Sequence, residues 1–341
     1  MKTIGILTGG GDCPGLNAVI AGVVRRATVE GYRVLGIRHG WRGMLECDRV
    51  ELSMKDILGI VCQGGTILRT SRTNPCESDD QIRLVMDNFK KMGLHALVAV
   101  GGDDTLGAAK RLSEAGLPAV GVPKTIDNDL SGTDRTFGFD TAVNTAMEAC
   151  DRLKTTAESH ERVMVVEIMG RHAGWITIWA GLAGAASYIL IPEVKADLDD
   201  LCRVLRERHE HYADFSIVAV AEGAELGGSV ALQTEERDAF GHVRLGGIGE
   251  RLAWEIEKRT GYETRCVVLG HLQRGGSPTA LDRFIGLRFG VHAVGLIMQG
   301  AFGRMVSLRG NEVVSVPLAD AVAKLRTVPR ELYDEARMFF I

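Results

Sequence analysis

Short apolar runs ending on glycine or polar clusters recur along the chain, each followed by a stretch of helical periodicity. That alternation is the pattern of βα units wound around a parallel sheet. Lys2–Thr8 leads into GGGDCPG and a helix over Leu16–Ala27, and Tyr32–Ile37 forms a second strand before a turn at HGWRGML. Ala96–Val100 opens onto GGDDT and a helix over Leu106–Ala115, and Ala119–Val122 runs into PKTIDND. Val163–Ile168 precedes MGRHAGW, Ile217–Ala221 ends at EG, and Cys266–Leu269 ends at GHLQRGGSP. Open parallel sheets collect ligands beyond the carboxyl ends of their strands, so these polar clusters are expected to line one crevice. Glu225–Gly249, with LQTEERDAFGHVRLGG, breaks the pattern and reads as a hairpin-like surface insertion suited to a subunit contact.

Length and composition narrow the classes. A chain of 341 residues suggests about two domains with ample core. Its 45% hydrophobic and 25% charged residues exclude disordered and fibrous chains. The formal charge of -4 supplies no basic field, so neither nucleic acid nor a membrane surface is an expected partner. Glycine, at 42 residues, is roughly 12% against about 7% typically, which points to tight turns and close backbone–ligand approaches. Seven cysteines without a CxxC pair argue against a disulfide framework or a zinc site. The N-terminal apolar run is too short for a signal segment and no window is long and apolar enough to span a bilayer, so a reduced, cytoplasmic protein is expected.

Several clusters carry candidate chemistry. GGGDCPG, Gly9–Gly15, lies between a strand and a helix, where free N–H groups and the helix dipole can hold phosphate. It lacks GK[ST] and does not match GxGxxG, so neither a P-loop nor a dinucleotide fold is indicated, and a tight βα turn explains it as well. GGDDT sets Asp103 and Asp104 beside a second such loop. Carboxylates there repel phosphate unless a divalent cation intervenes, so one of them is a candidate Mg²⁺ ligand, with helix N-capping the alternative for either alone. PKTIDND gathers Lys124, Thr125, Asp127 and Asp129 after a strand. An acid at a strand end can take a proton from a hydroxyl while a lysine neutralises a transferring phosphoryl group; an Asx-rich turn is the alternative. MGRHAG, AEG and RCVVLGHLQRGGSP add arginines, a histidine and a glutamate at further strand ends, groups suited to phosphate and sugar hydroxyls. His209 and His211 read as surface residues of a charged helix.

Taken together, TGGGDCPGLNAVI, GGTILRTSR, GGDDT, PKTIDND, VVEIMGRHAGW, AEG and GHLQRGGSP resemble the phosphofructokinase family in order and spacing over nearly the whole chain. The resemblance implies two doubly wound, Rossmann-like α/β domains with the active site between them, residues 1–138 plus 273–323 binding the phosphoryl donor and residues 139–272 plus 324–341 the sugar. It implies Mg²⁺-dependent phosphorylation of fructose 6-phosphate to fructose 1,6-bisphosphate. By the same carry-over Asp127 is the base for the 1-hydroxyl, with Thr125, Ile126 and Asp129 beside it and Asp103 at the Mg²⁺. Gly11, Arg72 and Lys124 contact the donor phosphates, and Met169, Gly170, Arg171 and Glu222 hold the sugar. Arg162, Arg265, His271, Leu272, Gln273 and Arg274 surround the 6-phosphate, with Arg162 and Arg265 coming from a neighbouring subunit. A homodimer or homotetramer with shared sites follows.

Two positions bear on the donor. ATP-using bacterial members of the family typically read GGDG and PGTIDND, whereas this chain has Asp104 and Lys124. A carboxylate at 104 repels the α-phosphate of a nucleotide at kcal scale. An added lysine stabilises pyrophosphate and the leaving phosphate. Both substitutions resemble the pyrophosphate-dependent branch, whose reaction is reversible; use of ATP is the alternative. Ala21, Met54 and Ser187 stand where allosteric members carry effector-binding arginines and a glutamate, although Arg25 is retained, so weak or absent effector control is expected. An oxidoreductase would need GxGxxG and an acid after the second strand, where Gly40 and Trp41 follow His39. A noncatalytic regulatory chain would be expected to lose Asp127, Arg72 or Arg171, and all three are present.

Overall fold

The computed structural model describes residues 1–227, 229–230, 232–234, 240–241 and 244–341. Its strands are β1 (Thr3–Thr8), β2 (Arg33–Ile37), β3 (Arg49–Leu52), β4 (Ala96–Gly101), β5 (Ala119–Pro123), β6 (Val163–Ile168), β7 (Tyr188–Leu190), β8 (Ser216–Ala221), β9 (Glu225–Leu226), β10 (Ser229–Val230), β11 (Leu232–Thr234), β12 (Arg244–Leu245), β13 (Thr264–Val268), β14 (Arg304–Arg309) and β15 (Glu312–Pro317). The helices are α1 (Leu16–Val29), α2 (Trp41–Glu46), α3 (Asp79–Lys91), α4 (Asp103–Glu114), α5 (Phe139–Ser159), α6 (Trp175–Ala183), α7 (Leu198–His211), α8 (Ile248–Thr260), α9 (Ala280–Met298), α10 (Leu318–Ala321) and α11 (Arg330–Arg337).

A seven-stranded sheet has the order β15-β14-β5-β4-β1-β2-β3, and a four-stranded sheet has the order β13-β6-β8-β7. Every pair in the second sheet is parallel. The first is parallel except for its edges, where β2 pairs with β3 and β14 with β15 in the antiparallel sense. The chain leaves β1 to one side for β2 and returns to its other side as β4, placing a topological switch point at the loops after β1 and β4.

Alternate residues of the inner strands feed opposite cores, which is why these strands are apolar runs rather than alternating ones. In β4, Ala96, Val98 and Val100 face the core shared with Ile20 and Phe289, while Leu97 and Ala99 face the one shared with Phe89 and Leu112. In β6, Met164, Val166 and Ile168 join the first of these cores, and Val163 and Val165 join a third with Leu205 and Leu252. A continuous apolar core therefore runs between the two sheets through Phe137, Phe139, Ile176 and Phe289.

The α/β expectation holds, with local corrections. HGWRGML holds a helix, α2, rather than a turn: Gly40 enters it at φ +61° and Cys47 ends it in the left-handed region. A Cβ on Gly43 would meet Arg38 O, so only glycine lets this helix pack against its own loop. α4 begins at Asp103 rather than Leu106, and the strand expected over Cys266–Leu269 runs over Thr264–Val268. Within Glu225–Gly249, β9 pairs with β10 and β11 with β12, both antiparallel; residues 228, 231, 235–239 and 242–243 lie outside the described residues. His209 is a half-buried residue stacked on Tyr262, with ring centroids 4.0 Å apart, while His211 is exposed. No helix among the described residues is long and apolar enough to cross a membrane.

Candidate active site

The loop after β1 is built around its glycines. The Gly9 amide bonds Val100 O at 2.9 Å and the Gly10 amide bonds Ser71 O at 3.1 Å, joining the loop to β4 and to the segment carrying Arg72. Gly10 and Gly15 take φ of +76° and +103°, left-handed values that suit glycine. Thr105, the third residue of α4, lies against Gly9 so closely that a Cβ there would approach its Oγ1 to 2.6 Å. Asp103 and Asp104 thus occupy the first turn of α4 directly beside the phosphate-type loop. Gly102 stands at the cap position without a side-chain hydrogen bond, so neither aspartate is the N-cap.

Lys124 crosses to the same loop from the end of β5. Its amide bonds Gly101 O at 2.9 Å and its Nζ donates to Gly11 O. The side chain is 4% exposed, and burial pushes its pKa down to about 8, a fall that the neighbouring Cys13 and Asp127 oppose. Arg274 arrives from the loop after β13, donating to Asp12 O at 3.1 Å and lying where a Cβ on Gly11 would meet its Nη1 at 2.7 Å.

The TIDND segment is held by its own polar groups. Thr125 Oγ1 accepts the Asp127 amide at 3.0 Å, and Thr136 bonds both Thr125 O and, through its amide, Asn128 Oδ1. Asn128 takes φ of +53°, the left-handed region that asparagine tolerates better than most residues. Asp127 is buried and its Oδ1 has no hydrogen-bond partner. Burial and the Asp127 carboxylate raise the Asp129 pKa to about 7, with Asp103 contributing. Ile126, from the same motif, is wholly buried and packs in the core.

The second sheet supplies a turn rich in backbone donors. Arg171 takes φ of +50°, and the Gly170 and Arg171 amides donate to Glu222 Oε1 at 3.2 and 3.0 Å. Burial raises the Glu222 pKa, helped by Asp127. Gly223 is pressed so closely on Arg171 O that any Cβ would displace it. The Met169 amide donates to Gln273 Oε1 at 2.8 Å, tying this turn to the short helix Gly270–Arg274. His271 and Leu272 on that helix are exposed.

Arg162 and Arg265 are not brought to this crevice. They sit at the opposite ends of β6 and β13, where Glu263 pairs with both, at 2.8 Å from Arg162. The strand between Arg162 and Met169 separates them by roughly 20 Å at about 3.3 Å per residue. Residues 324–328, which no motif singles out, do reach the site: the Arg326 amide bonds Asp129 O at 2.8 Å and its Nη1 bonds Asn128 O at 3.2 Å.

Carboxylates facing a cationic, glycine-lined loop at a sheet switch point make this a site for transferring charged phosphoryl groups. A family model described as Phosphofructokinase matches residues 3–297, and the chain belongs to that family. It is 57% identical over 99% of both chains to a pyrophosphate--fructose 6-phosphate 1-phosphotransferase of Streptomyces coelicolor. It is 53% identical, again over 99% of each, to ATP-dependent 6-phosphofructokinase 2 of the same organism. The structure of pyrophosphate-dependent phosphofructokinase from Nitrosospira multiformis superposes with a TM-score of 0.85 at 23% identity, covering 96% of this chain and 86% of that one.

Proposed function

We propose that this protein transfers a phosphoryl group from pyrophosphate to the 1-hydroxyl of fructose 6-phosphate, reversibly and with Mg²⁺, in the cytoplasm. The observation that carries the donor assignment is the pairing of buried Lys124 on Gly11 O with Asp104 in the first turn of α4. The lysine adds positive charge where pyrophosphate lacks an adenosine to anchor it, and the aspartate adds negative charge where a nucleotide would place its α-phosphate. The relatives named for pyrophosphate at 57% and 55% identity support this reading. The boundaries 1–138 plus 273–323 for the donor domain and 139–272 plus 324–341 for the sugar domain are part of the proposal, each grouping built on one of the two sheets.

In the mechanism Asp127 takes the hydroxyl proton, its backbone fixed by Thr125 and its unpartnered Oδ1 available for the substrate. Lys124, Gly11 and Arg72 hold the pyrophosphate. Met169, Gly170, Arg171 and Glu222 hold the sugar, and His271, Leu272, Gln273 and Arg274 border its 6-phosphate. Arg162 and Arg265 of one subunit complete the neighbour's site, which accounts for their position away from their own. Ala21, Met54 and Ser187 replace the effector-binding side chains of allosteric members, and Arg25 turns onto the Met54 sulfur at 3.9 Å, which supports weak or absent effector control.

The acidic side of the crevice fits Mg²⁺. Burial, with the Asp127 and Asp103 carboxylates beside it, raises the cost of ionising Asp129, and a divalent cation relieves repulsion of that kind. No group of three metal-binding side chains is assembled among the described residues, consistent with an ion held by one or two carboxylates, Asp103 first, together with substrate phosphates. Held there, Mg²⁺ would supply charge neutralisation for the transferring phosphoryl group.

The donor assignment is tested by Asp104→Gly. Removal of that carboxylate is expected to raise kcat/KM for ATP by roughly tenfold or more, which corresponds to about 1.4 kcal/mol of relieved repulsion. A variant that gains no ATP turnover would remove Asp104 as the selector.

A further inference from the structure

The loop carrying Asp127 follows a strand of the seven-stranded sheet, and the turn from Met169 to Trp175 follows a strand of the four-stranded sheet. Residues 324–328 bridge the two. On the loop side Ser131 Oγ donates to Lys324 O at 2.8 Å, Leu130 pairs with Leu325, and the Arg326 amide donates to Asp129 O at 2.8 Å. On the turn side Trp175 Nε1 donates to Arg326 O at 3.0 Å, and Glu193 accepts the amides of both Val328 and Gly174 at 2.9 Å. One side chain spans both: the Arg326 guanidinium lies 4.3 Å from the centroid of the Trp175 ring and donates from Nη1 to Asn128 O at 3.2 Å.

The loop has reason to need this support. Asn128, immediately after Asp127, is in the left-handed region, a conformation that persists only where its surroundings hold it. Asp127 Oδ1 has no side-chain or backbone donor, so the placement of that oxygen depends on the backbone that carries it. A planar fork that donates from its edge while stacking its face on an indole is a task for arginine and not for lysine. The guanidinium is half-buried, and burial lowers its pKa from the usual arginine value.

We infer that Arg326 is a positioning residue for the transfer: by gripping Asn128 O and Asp129 O while stacked on Trp175, it fixes the base-carrying loop relative to the turn that holds the sugar. The inference rests on the reaction proposed above. Misplacing a base by about 1 Å can cost on the order of 10²-fold in rate while leaving substrate contacts in place.

Steady-state kinetics with fructose 6-phosphate and Mg²⁺, run with pyrophosphate and separately with ATP, test this on Arg326→Met, Arg326→Lys and Trp175→Phe, alongside thermal melts. Arg326→Met is expected to lower kcat roughly 30-fold with KM for both substrates within about threefold of wild type, the signature of an effect on the transition state. Arg326→Lys keeps the charge without the fork, so it is expected to remain at least about fivefold down, and it serves if the methionine variant does not fold. Combining Arg326→Met with Trp175→Phe should cost less than the product of the two separate losses, because the stacked pair is shared while the Nε1 bond to Arg326 O is not. A kcat within twofold of wild type in the arginine variants, whatever their melting temperature, or a loss confined to KM, overturns the inference while leaving the reaction intact. A wild-type protein silent with both donors overturns the two together.

Discussion

Asp127 is a buried carboxylate with one oxygen unpartnered, an arrangement that costs about 1–3 kcal/mol in a folded protein and persists where function uses the group. Asp127→Ala is therefore expected to lower kcat by roughly 10³-fold or more, while calorimetry still finds fructose 6-phosphate bound within a few-fold of wild type; full turnover would remove Asp127 as the base. A second buried acid sits outside the chemistry. Asp282, at the start of α9, accepts the Thr141 amide and hydroxyl at 2.8 and 2.6 Å, and burial raises its pKa to about 6 despite those bonds. Because the folded value exceeds the unfolded one, the native state keeps a proton that the unfolded chain gives up. The stabilisation is present at about pH 4 and below and is lost as pH rises through about 6. Asp282→Asn should flatten the fall in unfolding free energy over that window by about 2–3 kcal/mol. Denaturant titrations at pH 4, 5 and 6 would contradict this if the two proteins kept parallel slopes.

Helices α1 and α9 pack backbone to backbone, because Gly22 and Gly290 meet at their crossing. A Cβ on Gly22 would come within 2.4 Å of Leu287 O, and one on Gly290 within 2.4 Å of Val19 O. Both helices follow loops of the site, so their separation sets the spacing of GGGDCPG from GHLQRGGSP. Gly22→Ala is expected to destabilise the protein by about 2–3 kcal/mol, lowering the urea midpoint at unchanged m-value; an unshifted midpoint would show that the helices separate at little cost. The elements themselves were readable where an apolar run is long and its terminus polar, as at β1, β4 and β6. Trp41–Glu46 was not, since a helix of that length carries too little periodicity and its glycines suggest a turn. GGDDT reads as a loop because glycine precedes it, yet Gly102 caps the helix and the aspartates enter its first turn. The strap through Arg326 left no trace in the sequence: on the base-carrying loop its acceptors are backbone carbonyls almost two hundred positions earlier, and carbonyls have no residue type to recognise.

At the scale of the molecule the motif residues divide by geometry. Asp103, Lys124, Asp127, Glu222 and Arg274 lie beyond the carboxyl ends of the strands, on loops or short helical turns, whereas Arg162 and Arg265 lie at the other end of β6 and β13 beside Glu263. The order of strands and motifs predicts the first grouping, whereas the second is expected only from the family resemblance, which assigns both arginines to a neighbouring subunit's site. If two subunits exchange these arginines across a two-fold axis, co-assembled Asp127→Ala and Arg162→Ala chains should recover about a quarter of wild-type activity from two nearly inactive parents. No recovery, with mixed oligomers demonstrated, would place both functions in one chain. The central claim concerns the donor, and initial rates of the wild-type protein with fructose 6-phosphate and Mg²⁺ test it directly, pyrophosphate in one series and ATP in the other. Turnover with pyrophosphate and none with ATP is the predicted result; turnover with ATP alone would contradict the reading of Asp104 and Lys124.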